Sequence, residues 1–136
     1  MADGKSGYCM AFRVLIVDDS KLARMSVAKA LTALRPDWTR VEATNADEAL
    51  ALAHQGSFDM ALLDFNMPGR DGLALAAELR ELSPRMPVAL ISANLQVEIV
   101  NRAHDVGAEF LPKPLTQEAM SAFITQAEQR LGAPRG

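Results

Sequence analysis

The sequence predicts an open α/β domain in which five parallel strands alternate with five helices, helices covering both faces of the sheet. Two observations carry this expectation. From Phe12 to Leu131 one rhythm repeats: a short apolar run, a turn, then a longer segment of helical spacing. The apolar runs are also continuous rather than alternating, as strands buried on both faces require.

The first run, Phe12-Arg13-Val14-Leu15-Ile16-Val17, is rich in β-branched residues and ends at Asp18-Asp19. Ser20 stands where an N-cap belongs, ahead of a helix from Lys21 to Leu34. Pro36-Asp37 breaks the chain, and Trp38 in this connection is expected to plug one end of the sheet. Thr39 to Ala43 forms a weaker strand. Asn45 caps a helix running to His54, with Glu48 at the capping-box position, and Gly56-Ser57 ends it. Met60-Ala61-Leu62-Leu63 is a buried strand closing on Asp64, followed by a loop from Asn66 to Gly72. Leu73 to Leu82 returns to helical spacing, stopped by Pro84.

Val88-Ala89-Leu90-Ile91 is the fourth strand and ends at Ser92. Gln96 to Val106 is the fourth helix, with Gly107 as its C-terminal glycine. Its Val97, Ile99 and Val100 exceed what one buried stripe needs, which leaves core packing and a partner surface both open. Glu109-Phe110-Leu111 is a short fifth strand, ended by Pro112-Lys113-Pro114, and Thr116 caps a last helix to about Leu131. The expected organisation is a flexible extension over residues 1–11, with Met1 or Met10 as the start, one domain over 12–131 and a tail over 132–136, with no second domain.

The chain has 136 residues and a net charge of −3. With no Lys/Arg run, that argues against a general phosphate-backbone binder. Cys9 is the single cysteine, so no disulfide forms within the chain. No apolar run approaches the roughly 20 residues of a membrane span. No segment reads as an export signal. The expectation is a cytoplasmic protein without membrane insertion. His54 and His104 fall on helices outside the acid cluster and read as surface residues.

Function is signalled by position. Asp18-Asp19 follows the first strand, Asp64 ends the third, Ser92 ends the fourth and Lys113 follows the fifth. Ligands of open α/β sheets bind outside the carboxyl ends of the strands, so these residues would share one cleft. Three crowded carboxylates repel one another and persist most easily around a cation. All-oxygen donors without His or Cys point to Mg²⁺, with Mn²⁺ as the alternative, and so to phosphoryl chemistry with a carboxylate nucleophile. Taken singly, each residue has a plainer reading: a cap for the acid pair, turn chemistry for Asp64, a cap or turn for Ser92, a solvated lysine for Lys113.

Four stretches in combination resemble the receiver domain of bacterial two-component response regulators, the chemotaxis (CheY-like) type included. They are Val14 to Ser20, Asp64 to Gly72, Pro87 to Ala93 and Phe110 to Pro114. The resemblance covers roughly residues 12–131. It implies a flavodoxin-like sheet of strand order 2-1-3-4-5. It implies that Asp64 accepts the phosphoryl group and that Asp18, Asp19, Asp64 and the Asn66 carbonyl hold Mg²⁺. Ser92 and Lys113 would bind phosphoryl oxygens, small Ala93 would leave room for the donor, and the Lys113–Pro114 bond would be cis. Ser92 and Phe110 would form the switch, although Phe110 also reads as core. Asn66 and Asn94 would tune phosphoryl lifetime.

The implied partners are a histidine kinase or histidine phosphotransfer protein as donor, and a protein target on the face made by the fourth helix, fifth strand and fifth helix. No DNA binding is expected, and the chain would be a monomer or weak homodimer. It would act as a stand-alone response regulator rather than an enzyme, catalysing only its own phosphorylation and dephosphorylation. Two other readings stay open. A hydrolase with a strand-end Asp nucleophile would usually carry a second Asp where Asn66 stands. A flavodoxin-type cofactor binder would need a glycine-rich phosphate loop in place of Asp18-Asp19.

Overall fold

The computed structural model describes residues 12–65, 72–93 and 96–131. The expected extension (residues 1–11, with Cys9 and Met10), the tail (132–136), Asn66 and Asn94 lie outside the described residues. Five strands, β1 (Arg13–Val17), β2 (Thr39–Ala43), β3 (Met60–Asp64), β4 (Val88–Ser92) and β5 (Ala108–Pro112), alternate with five helices. The helices are α1 (Lys21–Leu34), α2 (Ala46–Gln55), α3 (Gly72–Leu82), α4 (Val97–Asp105) and α5 (Gln117–Leu131). The sheet is wholly parallel, in the order β2-β1-β3-β4-β5.

Successive strand residues point to opposite faces, and the core divides accordingly. Leu15, Val17, Ala61, Leu63 and Leu90 face α2 and α3 through Ala46, Ala49, Ala76 and Leu79. Val14, Ile16, Met60, Leu62 and Ile91 face α1 and α5 through Val27, Leu31, Phe123 and Ile124. The central strands β3 and β4 are buried throughout, which is why their sequences carry no polar alternation. The edge strand β2 buries only Ala43 fully, which explains its weak signature.

Local chemistry sets the helix ends. The Ser20 hydroxyl accepts from Ala23 N–H and the Thr116 hydroxyl from Ala119 N–H, both at N-caps. Asn45 accepts from Glu48 N–H at 2.8 Å. The Glu48 carboxylate reaches one residue further back than a capping box requires: it accepts from Thr44 N–H at 2.6 Å and from the Thr44 hydroxyl. Those bonds, the backbone one first, hold the Glu48 carboxyl below its ordinary range. Gly107 follows α4 in the left-handed region, at φ +79°, with its N–H on the His104 carbonyl.

Trp38 is buried, edge-on to Phe12 with ring centroids 5.0 Å apart, and plugs the sheet end below α1. Arg35 lies over the indole and forms a two-bonded pair with Glu128, tying α1 to α5. Of the apolar residues on α4, Ile99 and Val100 are half-buried while Val97 is 73 % exposed, so core packing does not account for Val97. The fifth strand begins at Ala108 and ends at Pro112, one residue beyond the expected run at each end, because backbone pairing with β4 continues there.

Gly72 opens α3 against the end of β3. A Cβ built there would meet the Asp64 carbonyl oxygen at 2.4 Å and the Phe65 Cα at 3.0 Å. Gly72→Ala is therefore expected to destabilise the fold by about 2 kcal/mol, the scale of forced overpacking, read as a lower urea midpoint at unchanged slope. Glu48, with its depressed pKa, contributes stability above the unfolded carboxyl value and loses it as pH falls through the folded value. Glu48→Gln should lower the melting temperature slightly at pH 7, and the two proteins should converge when fully acidified.

Candidate functional site

Parallel pairing brings the strand ends together. Asp18 follows β1, Asp64 closes β3, Ser92 closes β4 and Lys113 follows β5. The backbone ladder runs one residue past these ends. Asp18 N–H bonds the Ala43 carbonyl (3.2 Å), Phe65 N–H that of Ile91 (2.9 Å) and Lys113 N–H that of Ser92 (3.0 Å). The side chains that converge here are carried on fixed backbone.

Among the described residues, the buried polar or charged ones are Asp18, Asp64 and Ser92, and all three lie at this edge. Buried polar groups are the informative exceptions in a folded core. One carboxylate oxygen from each of Asp18, Asp19 and Asp64 lies within 4.8 Å of the others. Asp64 is 4 % exposed, and its Oδ1 accepts from Lys113 Nζ at 2.7 Å. Asp19 is exposed and forms the open side of the cluster. Asp18 Oδ1 accepts from Ser20 N–H at 2.9 Å, an Asx-type turn that aims the acid pair before α1 begins.

Burial raises the Asp18 carboxyl above its ordinary range, and the charges of Asp64 and Asp19 add to this. The Ser20 N–H and the Lys113 ammonium oppose it. One ammonium faces three carboxylates, so the cluster retains negative charge that a hard divalent cation fits. Pro114 follows Lys113 through a cis peptide bond. Phe110 is half-buried on β5, beside Leu90 in register. Ala93, just beyond Ser92, is exposed and lines a concavity of about 460 Å³ with Asp18, Val27, Ile91, Lys113 and Leu115. His54 and His104 are exposed and outside the cluster.

Sequence reasoning passed over Arg24. Its guanidinium, 12 % exposed, donates from Nη1 to the Asp18 carbonyl at 2.7 Å and from Nε to Glu42 at 3.0 Å. It thereby clamps the acid-bearing end of β1 from α1 and is anchored in turn by β2. The signal in sequence is slight, an arginine one helical turn after the cap Ser20.

An open doubly wound sheet with an acidic, lysine-paired pocket at its carboxyl edge defines a ligand-binding α/β module of flavodoxin-like order. The chain belongs to the response regulator receiver domain family, whose model it matches over residues 14–125. It is 38 % identical over 120 residues to the positive alginate biosynthesis regulatory protein of Pseudomonas aeruginosa, covering 85 % of this chain and 47 % of that one. It is 37 % identical over 122 residues to the transcriptional regulatory protein PdtaR of Mycobacterium tuberculosis, covering 87 % and 57 %. The chain thus spans about half the length of these curated relatives.

Among solved structures it resembles the chemotaxis protein CheY4 of Vibrio cholerae. The TM-score is 0.78 at 28 % identity, covering 88 % of this chain and 99 % of that one. A receiver domain of Clostridium thermocellum shares the fold at TM-score 0.81 and 24 % identity, covering 88 % and 96 %. Family membership makes residues 14–125 a receiver domain of the kind found in response regulators of two-component signalling. Among the described residues, no helix is long and apolar enough to cross a membrane.

Because the folded Asp18 carboxyl is raised, the native state holds more protons than the unfolded one between the unfolded and folded pKa values, and stability falls as pH rises through that window. Asp18→Asn keeps an oxygen for Ser20 N–H and removes the charge. In metal-free protein it is expected to raise stability at pH 7 by about 1 kcal/mol, with the gain vanishing below the ordinary carboxyl range. Denaturant melts at both pH values would check this.

Proposed function

We propose that Asp64 takes a phosphoryl group from a histidine kinase or a histidine phosphotransfer protein, and that the phosphorylated chain signals by changed binding to a protein target. The observation that carries this is Asp64 itself: a buried carboxylate, ion-paired to Lys113 at 2.7 Å, beside two further acids at the strand ends. A carboxylate oxygen of Asp64 attacks phosphorus, the donor's N–P bond breaks and an O–P bond forms, and water later hydrolyses the acyl phosphate.

The donor set fits a hard divalent cation: oxygen ligands only, closely grouped and under-neutralised. Asp18, Asp19 and Asp64 would hold Mg²⁺, or Mn²⁺, with the Asn66 carbonyl as a further ligand. A bound Mg²⁺ supplies neutralisation of the charge on the phosphoryl oxygens. Lys113 holds one phosphoryl oxygen, moving over from the carboxylate it already contacts, and the Ser92 hydroxyl donates to another. That pull on Ser92 favours an inward Phe110 and so alters the surface of α4, β5 and α5, a two-state equilibrium biased by charge-assisted bonds. Asn66 and Asn94 set how readily water reaches the acyl phosphate.

The donor docks on α1. Leu22 is 79 % exposed and Met25 53 %, both on the helix that starts beside the acid pair. Such an apolar rim suits the helical face of a phosphohistidine protein.

The expected result with a small phosphodonor and Mg²⁺ is a gain of one phosphoryl mass, stable in acid, labile in base, lost in Asp64→Asn and with EDTA. An unmodified wild type across several donors would sink the proposal. Replacing Leu22 and Met25 together by Lys should slow transfer from a phosphohistidine protein by about tenfold or more, the scale of lost central interface contacts. Uptake from the small donor should be unchanged. Unchanged transfer from the phosphohistidine protein would place the docking surface elsewhere, and equal slowing in both assays would assign the effect to the acid pocket rather than to docking.

A further inference from the structure

At the opposite edge of the sheet, where β4 and β5 begin, an open cavity of about 670 Å³ is lined from α3, α4, β5 and α5. Three basic side chains from three different helices face it, Arg80, His104 and Arg130, against one lining acid, Glu109. In a chain of net charge −3 this is a local inversion of sign. Val100 and Phe110 supply an apolar wall. The volume lies within the range of small-molecule sites, and the lining is more polar than most, which favours a charged ligand over a purely apolar one.

Arg80 is held ready. Its Nη1 donates to the Met86 carbonyl at 2.9 Å. Its guanidinium lies against Gly107, so close that a Cβ there would come within 2.8 Å of Nη2, 2.9 Å of Nε and 3.0 Å of Cζ. Gly107 therefore answers two demands, a positive φ and room for this guanidinium. The bond to Met86 takes one of the five N–H donors of the guanidinium. A guanidinium already fixed in place loses little freedom on binding and presents paired donors to an oxyanion.

We propose that this cavity binds a small organic oxyanion, a molecule bearing a phosphate or carboxylate group on an apolar body. Arg80 and Arg130 take the anionic group, and Val100 and Phe110 pack on the body. Binding here needs neither the phosphoacceptor chemistry nor a metal.

The test is an amide NMR titration of the full chain without Mg²⁺, using inorganic phosphate, phenylphosphonate, phenylacetate and a capped Glu-Glu-Phe peptide as probes. Phenylphosphonate cannot transfer a phosphoryl group, so Asp64 stays unmodified. Saturable shifts are expected at Gly107, Phe110 and Gln126. Phenylphosphonate or phenylacetate should bind about fivefold or more tighter than inorganic phosphate, as burying an aromatic body requires. Arg80→Gln and Arg130→Gln should each weaken binding about tenfold, the scale of a lost charged hydrogen bond. Asp64→Asn should bind as the wild type does. Arg130→Gln leaves the Arg80–Gly107–Met86 contacts in place, so its result stands even if Arg80→Gln loosens α3. Shifts confined to the Lys113 edge, binding unchanged in both arginine variants, or no saturation with any probe would overturn the proposal. Preference for the peptide over both aryl anions would also overturn it, in favour of an acidic protein segment.

Discussion

The ion pair between Lys113 and Asp64 makes the carboxyl edge of this sheet tenable. A carboxylate buried as deeply as Asp64 is costly to hold without an opposite charge at contact distance. Lys113 reaches it from the far side of β4, across the strand that carries Ser92. The pair needs the parallel order of β3, β4 and β5, and that order needs helices on both faces to close the crossovers. Asp18 and Asp19 then enter from β1 on the other flank, where the net charge of the cluster is left uncompensated.

Rigidity around the pair comes from backbone more than from side chains. The ladder bonds that continue past the strand ends hold Asp18, Phe65 and Lys113 by their own N–H groups. Arg24 holds the Asp18 carbonyl from α1. A site built this way can change the charge at Asp64 without changing the frame.

Much of this arrangement was legible in the sequence, for a physical reason. A strand buried on both faces must be apolar until it leaves the sheet, so the first polar residue marks the edge. Asp18, Asp64 and Ser92 announce themselves by ending such runs, and Lys113 by standing between two prolines. What escaped depends on approach between distant segments. Arg24 looks like any surface arginine until β2 brings Glu42 beside it. Gly72 looks like a loop residue until α3 is laid against the Asp64 carbonyl, and Arg80 until Gly107 makes room for it. Helix spacing likewise left Val97 undecided, because exposure depends on what neighbouring elements cover.

The tight joint between β3 and α3 has a further consequence. Gly72 N–H bonds the Phe65 carbonyl at 2.9 Å, and the helix start rests on the strand end with no space for a methyl group. Phe65 and Gly72 are thus two fixed posts that join strand and helix backbone to backbone. The distance between the acid-bearing strand and α3 is therefore set by main chain, and any side chain at position 72 would part the two.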